Sequence, residues 1–290
     1  MAVPPAEAHP LSSPLTSRLK SRSGQRSPSS RRYSLINATI QQHSKVLMET
    51  PTEAAVRIDL AAALRYASRL GLGEGICNHF SCALPGENDR FLINPQGLHW
   101  SEVTPADLVL VDSHGRKVSG SHTVEPTAFF IHGALHRGKP TAQCVLHTHM
   151  PYATALTLLQ DGRLEWASQT ALKFHDRVAY DAHYNGLALD AEEGERMCAQ
   201  LGEAEVLFLA NHGVIVTGNS IATAFDDLYY LERACMLQVI AMGTGRPLRT
   251  LSESISAKTG AQMAADSTQA ALHFEAVKRI LDRDDPGWRD

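Results

Sequence analysis

The chain has 290 residues, 43% of them hydrophobic, and a formal net charge of −4, which is material for one sizeable core with tails. No run approaches the roughly 20 apolar residues of a membrane span, and the N-terminus lacks a secretory apolar stretch, so a soluble, cytoplasmic protein without a membrane partner is expected. Residues 1–50 carry seven Lys or Arg against Glu7 and Glu49, a net +5 that leaves −9 on the remainder, and so acidic a body argues against a nucleic-acid partner.

The segment 1–50 is a basic leader rich in Ser, Arg and Pro that buries too little apolar surface to fold, at least up to about Tyr33, so disorder is expected there. A cleaved organelle-targeting sequence is the lesser alternative for it. Five cysteines (77, 82, 144, 198 and 235) show no metal or disulfide spacing, and their odd count argues for reduced thiols.

Thr52 is the natural N-cap of a first helix bearing Ile58, Leu60, Leu64 and Leu70, closed by Gly71 and Gly73. The period then shifts to that of strands: 79–84 and 90–94 flank the Pro85–Asp89 turn, and Leu108–Asp112 follows the turn signal at Thr104–Asp107. Pro126 opens a helix to about Arg137, which returns through Gly138 and Pro140 into the strand that carries His147. A helix follows from Pro151 through Leu159, then a less regular stretch around Phe174-His175-Asp176. Asp190 caps a helix to Leu201, Val206–Leu209 and Val214–Val216 read as strands, and Ser220 caps a long helix from Ile221 to about Met242. Ala224, Leu228, Leu231, Cys235 and Val239 form one stripe of that helix, and Gly243 and Gly245 stop it. One more helix is expected over Gln262–Leu281. Strands early, with helices alternating later, indicate an α/β fold of three layers (αβα) with a mixed, largely antiparallel central sheet. The expected organisation is a domain over 51–250 followed by a helical tail over 251–290.

The chemistry concentrates in histidines. In Cys144-Val145-Leu146-His147-Thr148-His149 the alternation of a strand sends positions 147 and 149 to the same side. His212 ends another apolar run, Val206–Leu209, before Gly213. If the strands are neighbours, three imidazoles converge with coordination positions left open, the arrangement of a catalytic divalent site. The alternative is a His-x-His pair hydrogen-bonded in a crowded core, since the chain holds 14 histidines.

Four motifs in order, Gly75-Ile76-Cys77-Asn78-His79-Phe80-Ser81, Ile93-Asn94-Pro95-Gln96-Gly97, His147-Thr148-His149 and Asn211-His212-Gly213, resemble the class II aldolase and adducin head-domain superfamily over roughly residues 55–245. The resemblance implies that family's fold, His147, His149 and His212 as ligands of one divalent metal ion, zinc before manganese or iron, and a homotetramer or other homo-oligomer with sites between subunits. It also implies a lyase whose metal, as Lewis acid, stabilises an enolate oxygen as a carbon–carbon bond breaks or carbon dioxide leaves.

Departures from the sugar-phosphate aldolases set the expectations apart. Their glutamate, metal ligand and base, falls on Ala128, so Glu125 is the candidate catalytic base, with helix capping as its plain structural role. Of Gly75, Cys77, Asn78, Gly97, Thr123 and Val124, only Asn78 and Gly97 match the phosphate pocket, so these two are the candidate substrate-binding residues and a sugar phosphate is not the expected substrate. Trp166 stands nearest the aldolase tyrosine, which Tyr180 or Tyr184 could replace. His79 and His175 are further acid/base candidates, and His132, among apolar helix neighbours, reads as structural. The leading expectation is a metal-dependent lyase on a small hydroxy or oxo compound. An iron oxygenase on the same three histidines and a non-catalytic adducin-like interaction module are the alternatives.

Overall fold

Within the computed structural model, residues 51–87 and 89–290 are described, so the expectation for the basic leader lies outside the described residues. Helix α1 (Glu53–Arg69) starts where Thr52 accepts the Ala55 amide at 3.3 Å, and it stops at Gly71, whose φ of +68° favours glycine. Strands β1 (His79–Ala83), β2 (Arg90–Ile93), β3 (Val109–Asp112) and β4 (Lys117–Ser119) form a meander. Then come α2 (Pro126–Gly138), β5 (Cys144–Thr148), α3 (Pro151–Thr157), a 3₁₀ turn (Ala171–Phe174) and β6 (Val178–Asp181). The chain continues through α4 (Ala191–Leu201), β7 (Val206–Leu209), β8 (Gly213–Gly218), α5 (Ile221–Met242), α6 (Glu253–Ala264) and α7 (Gln269–Asp284).

The eight strands form one sheet in the order β4-β3-β2-β1-β5-β8-β7-β6, antiparallel at every junction except β6–β7. Strand alternation sorts the side chains. Phe80, Cys82, Cys144, Leu146, Phe208, Val214 and Val216 face the larger core beneath α1, α3, α5 and α7. Val145, Leu207, Leu209 and Ile215 face the opposite layer, where Ile131 and Leu135 of α2 meet Met197 and Leu201 of α4. This is the three-layer αβα arrangement with a mixed, largely antiparallel sheet.

The stripe expected on α5 is buried at Ala224, Leu228, Leu231 and Cys235. The same helix buries two acids that periodicity does not announce. Asp226 and Asp227, each 1% exposed, are met by Lys173 at 2.7 and 2.9 Å, with Arg177 at 2.5 Å from Asp227 and His273 at 2.7 Å from Asp226. Charges buried this deeply persist only because each is paired.

Three elements differ from the sequence expectation. β4 is fully exposed and holds its place by pairing with β3 alone, so it has no apolar alternation to read. β6 is a half-buried edge strand positioned by the β7 backbone. The tail holds two helices where one was expected over Gln262–Leu281, because the Asp266 carboxylate accepts the Thr268 amide and hydroxyl at 3.1 and 2.9 Å and turns the chain. Phe274, Val277, Leu281 and Trp288 then complete the larger core, and Lys278–Asp59 (2.9 Å) and Arg65–Asp285 (2.7 Å) tie the tail to α1. No helix among the described residues is long and apolar enough to cross a membrane.

Candidate metal centre

β5 lies between β1 and β8, and its register sets the site. His147 stands opposite His79 of β1 on one side and Ile215 of β8 on the other. His149 follows immediately, and His212 sits in the tight β7–β8 turn, where Asn211 takes a left-handed φ of +57° and the His212 amide donates to Leu209 at 3.1 Å. A Cβ on Gly213 would come within 2.7 Å of both the Thr148 oxygen and His149 Cδ2, so the turn closes on β5 only with glycine there. One ligating atom from each of His147, His149 and His212 lies within 4.8 Å of the others, and the ring centroids are 4.8 to 5.1 Å apart.

Hydrogen bonds fix two of the three rings in a metal-ready tautomer. His147 Nδ1 is 3.0 Å from the Val214 carbonyl, which only accepts, so Nδ1 carries the proton and Nε2 keeps its lone pair. His149 Nδ1 is 2.6 Å from a Glu74 carboxylate oxygen, with the same result, and its buried Nε2 has no partner. Such carboxylate and carbonyl partners orient metal-binding imidazoles. Burial, reinforced by the neighbouring His212 and His79, holds His147 well below the ordinary histidine pKa. Burial and then His149 take His212 down to about 4. His147 and His212 are therefore neutral donors at neutral pH. Those two neutral rings beside the orphaned His149 Nε2 fit a divalent cation.

Around the trio, the expected residues sort themselves. Asn78 is 1% exposed. Its Oδ1 accepts the Glu74 amide at 2.7 Å and the His149 amide at 3.3 Å, while the buried Nδ2 has no partner. Gly97 has a φ of +89° suited to its turn, and among the described residues no hydrogen bond joins it to the trio. His79 stacks on His147, with centroids 5.7 Å apart. Glu125 fulfils two roles at once. It caps α2 through the Ala128 amide at 2.9 Å, and its Oε2 lies 3.2 Å from His79 Nε2, although off the line of a ring N–H bond. Burial raises the Glu125 pKa, but His79, the Thr127 hydroxyl and the Ala128 amide outweigh it and bring the value from 4.5 to about 2. Ala128 is buried in the core.

The remaining candidates separate by contact. Tyr184 is half exposed with its ring 6.3 Å from His212, whereas Tyr180 accepts the Leu164 amide at 3.0 Å beneath Arg163. Trp166 packs on His175 at 5.4 Å. His175 lies 3.1 Å from Asp176 through Nδ1 and hydrogen-bonds Glu253 at 2.8 Å through Nε2, which ties it to α6, and these three side chains form a second, more exposed cluster that could hold a metal ion. Sequence reasoning passed over Glu74, Ser81 and His136. Nothing in Gly73-Glu74-Gly75 marks the first. Strand spacing from His79 to Ser81 and helical spacing from His132 to His136 were readable for the others.

Three imidazoles converging at the end of a mixed sheet between helical layers define a class, α/β proteins with a histidine cluster whose ligating atoms are close enough to hold a metal ion. The chain belongs to the class II aldolase and adducin family: the Class II Aldolase and Adducin N-terminal domain matches residues 58–239. A Pseudomonas aeruginosa protein placed by name in aldolase class 2 is 37% identical over 243 residues, covering 82% of this chain and 93% of its own. Decarboxylase NovR of Streptomyces niveus is 30% identical over 228 residues, covering 77% and 84%. Among solved structures, an aldolase II superfamily protein from Pseudomonas syringae superimposes with a TM-score of 0.78 at 36% identity, over 85% of this chain and 100% of the other.

Proposed function

We propose that this protein is a metal-dependent lyase that cleaves a carbon–carbon bond, by aldol cleavage or decarboxylation, in a small hydroxy or oxo compound other than a sugar phosphate. The observation that carries the reading is the convergence of His147, His149 and His212 with ligating atoms within 4.8 Å of one another. A divalent cation bound there, zinc before manganese or iron, supplies Lewis-acid stabilisation of negative charge on a substrate oxygen. His147 and His149 would hold it through Nε2, and His212 through a ring nitrogen.

The chain's own groups supply the rest. Asn78 Nδ2, a buried donor without a partner beside His149, is suited to a substrate oxygen. A carboxylate at about 2 is a weak base at neutral pH. Glu125 therefore serves as the negative charge beside His79, at 3.2 Å from its Nε2, and His79 is the group that exchanges a proton with substrate. Against a phosphate ligand, Glu193 near His212 binds Arg196 at 2.7 Å and Asp181 binds the same guanidinium at 2.7 Å, which leaves that cation committed. The relative named as a decarboxylase supports the carboxy-lyase branch. Assembly as a homo-oligomer, a tetramer first, is part of the proposal and is read by light scattering.

The test is elemental analysis of protein purified without chelator, beside His147→Ala and His212→Ala. About one equivalent of metal per chain in the wild type, lost in both variants, supports the site. Zinc or manganese directs the next assays to retro-aldol and decarboxylation substrates, and iron directs them to oxygen consumption. A wild type that neither holds nor takes up metal sinks the lyase reading and leaves an adducin-like interaction module.

A further inference from the structure

The chain leaves the site through a helix start that its local sequence does not cap. β5 pairs with β8 as far as Thr148 and Val214, so His149 lies one residue beyond the last rung of the sheet. Pro151 then opens α3, and Met150 at the capping position makes no side-chain hydrogen bond. The other holds on His149 are slight. Its ring meets Glu74, a side chain 69% exposed, and its amide donates to Asn78 Oδ1 at 3.3 Å. The direction in which the backbone leaves His149 therefore depends on how α3 is anchored.

Glu232 of α5 supplies the missing cap from 80 residues away along the chain. Its Oε1 accepts the Tyr152 amide at 2.8 Å and its Oε2 accepts the Ala153 amide at 2.9 Å. Pro151 has no N–H, and the Thr154 amide donates to the Met150 carbonyl at 2.9 Å. Every donor of the first turn is thus accounted for, two of them by one carboxylate. Glu232 is only 6% exposed. Burial pushes its carboxyl above the ordinary carboxylate range, and the groups that pull it back are the two amides rather than a cation. Asp226 and Asp227, earlier on the same helix, are buried against Lys173 and Arg177 instead. Apolar residues often fill a buried ionic position without loss of stability. What a carboxylate adds here is direction, because two acceptor oxygens fix where Tyr152 and Ala153 stand and, through Met150 and Pro151, how the chain turns away from His149.

We infer that Glu232 is a positioning residue for the metal centre: by gripping the first turn of α3 from α5, it sets the backbone of His149 and with it the aim of the imidazole. The inference rests on the metal-binding role proposed for His147, His149 and His212.

The test is zinc affinity, measured on the full chain by competition with a chromophoric chelator, for the wild type, Glu232→Gln, Glu232→Asp and Asp227→Ala. In Glu232→Gln one amide of α3 faces an NH2 group instead of an oxygen, donor against donor. Zinc affinity is expected to fall roughly 10- to 100-fold, the usual cost of losing a group that orients a metal ligand. Either the Tyr152 or the Ala153 amide should also lose protection from hydrogen exchange. Glu232→Asp keeps the charge but shortens the reach by one methylene, so a folded protein with a loss in the same direction is expected. Asp227→Ala removes another buried acid of α5 outside this contact, which lowers stability and should leave the zinc affinity of the folded protein at the wild-type value. Wild-type affinity in both Glu232 variants, or an equal loss in Asp227→Ala, overturns this proposal alone. A wild type that takes up no zinc overturns the metal reading and this inference with it.

Discussion

Gly213 and Glu125 show how single residues set the centre. Gly213→Ala places a methyl 2.7 Å from the Thr148 oxygen and from His149 Cδ2. Backbone must move, at a cost of about 2 kcal/mol or more, and the β7–β8 turn must lift away from β5. The expected outcome is a lower urea midpoint together with loss of bound metal, and an unchanged midpoint with full metal would contradict the packing argument. Glu125 makes a prediction in pH. Its folded pKa of about 2 lies below the ordinary 4.5, so the stabilisation it gives is fully present above 4.5 and is lost as pH falls through about 2. Glu125→Gln should flatten the fall in melting temperature over that window relative to wild type. At this scale the sequence was most legible where a period could be counted. His147 and His149 share a face by alternation and His212 ends an apolar run. Glu74 was unreadable because its link to His149 spans 75 residues and belongs to a loop.

Among the elements, α5 carries the clearest lesson. Its apolar stripe follows from the 3.6-residue period, yet its buried acids depend on Lys173 and Arg177 from the segment before β6, which no local pattern couples to it. Asp227→Ala leaves two cations facing the place of a 1% exposed carboxylate, and a loss of about 3 kcal/mol is expected from the urea midpoint. Asp284→Ala, at the exposed pairs with Arg283 and Arg69, should shift the midpoint only slightly. The strands divide in the same way. β1, β2, β3, β5, β7 and β8 are apolar enough to announce themselves, while β4 and β6 exist through backbone pairing and carry little side-chain signal.

For the whole molecule, the tail is part of the fold. Phe274, Val277, Leu281 and Trp288 are at most 2% exposed, and each contributes roughly 1.5–3 kcal/mol by burial. Their sum is comparable to the 5–15 kcal/mol that holds a typical domain together. Ending the chain at Thr250 should therefore abolish the cooperative thermal transition seen by circular dichroism, and a truncated chain melting like the full one would show the tail to be an ornament. The αβα class could be read from the alternation of elements, but the sheet order could not, because register across β5 is decided by residues far apart in the chain.

That strand has a kinetic meaning as well. β1 to β4 pair with their neighbours in sequence, and β6 to β8 do the same within their own segment. β5 alone bridges the two ladders, joining Cys144–His147 to His79–Cys82 on one side and Cys144–Thr148 to Val214–Gly218 on the other. Pairings of such reach bear the largest loop-closure entropy and tend to form late. In refolding followed by pulsed hydrogen exchange, the β2 and β3 amides should gain protection before those of β5, and simultaneous protection would count against this order. The metal cradle is then created by the final docking of two preformed halves, so an incompletely synthesised or partly unfolded chain has the histidines without the cradle, and loading with a cation reports that folding is complete.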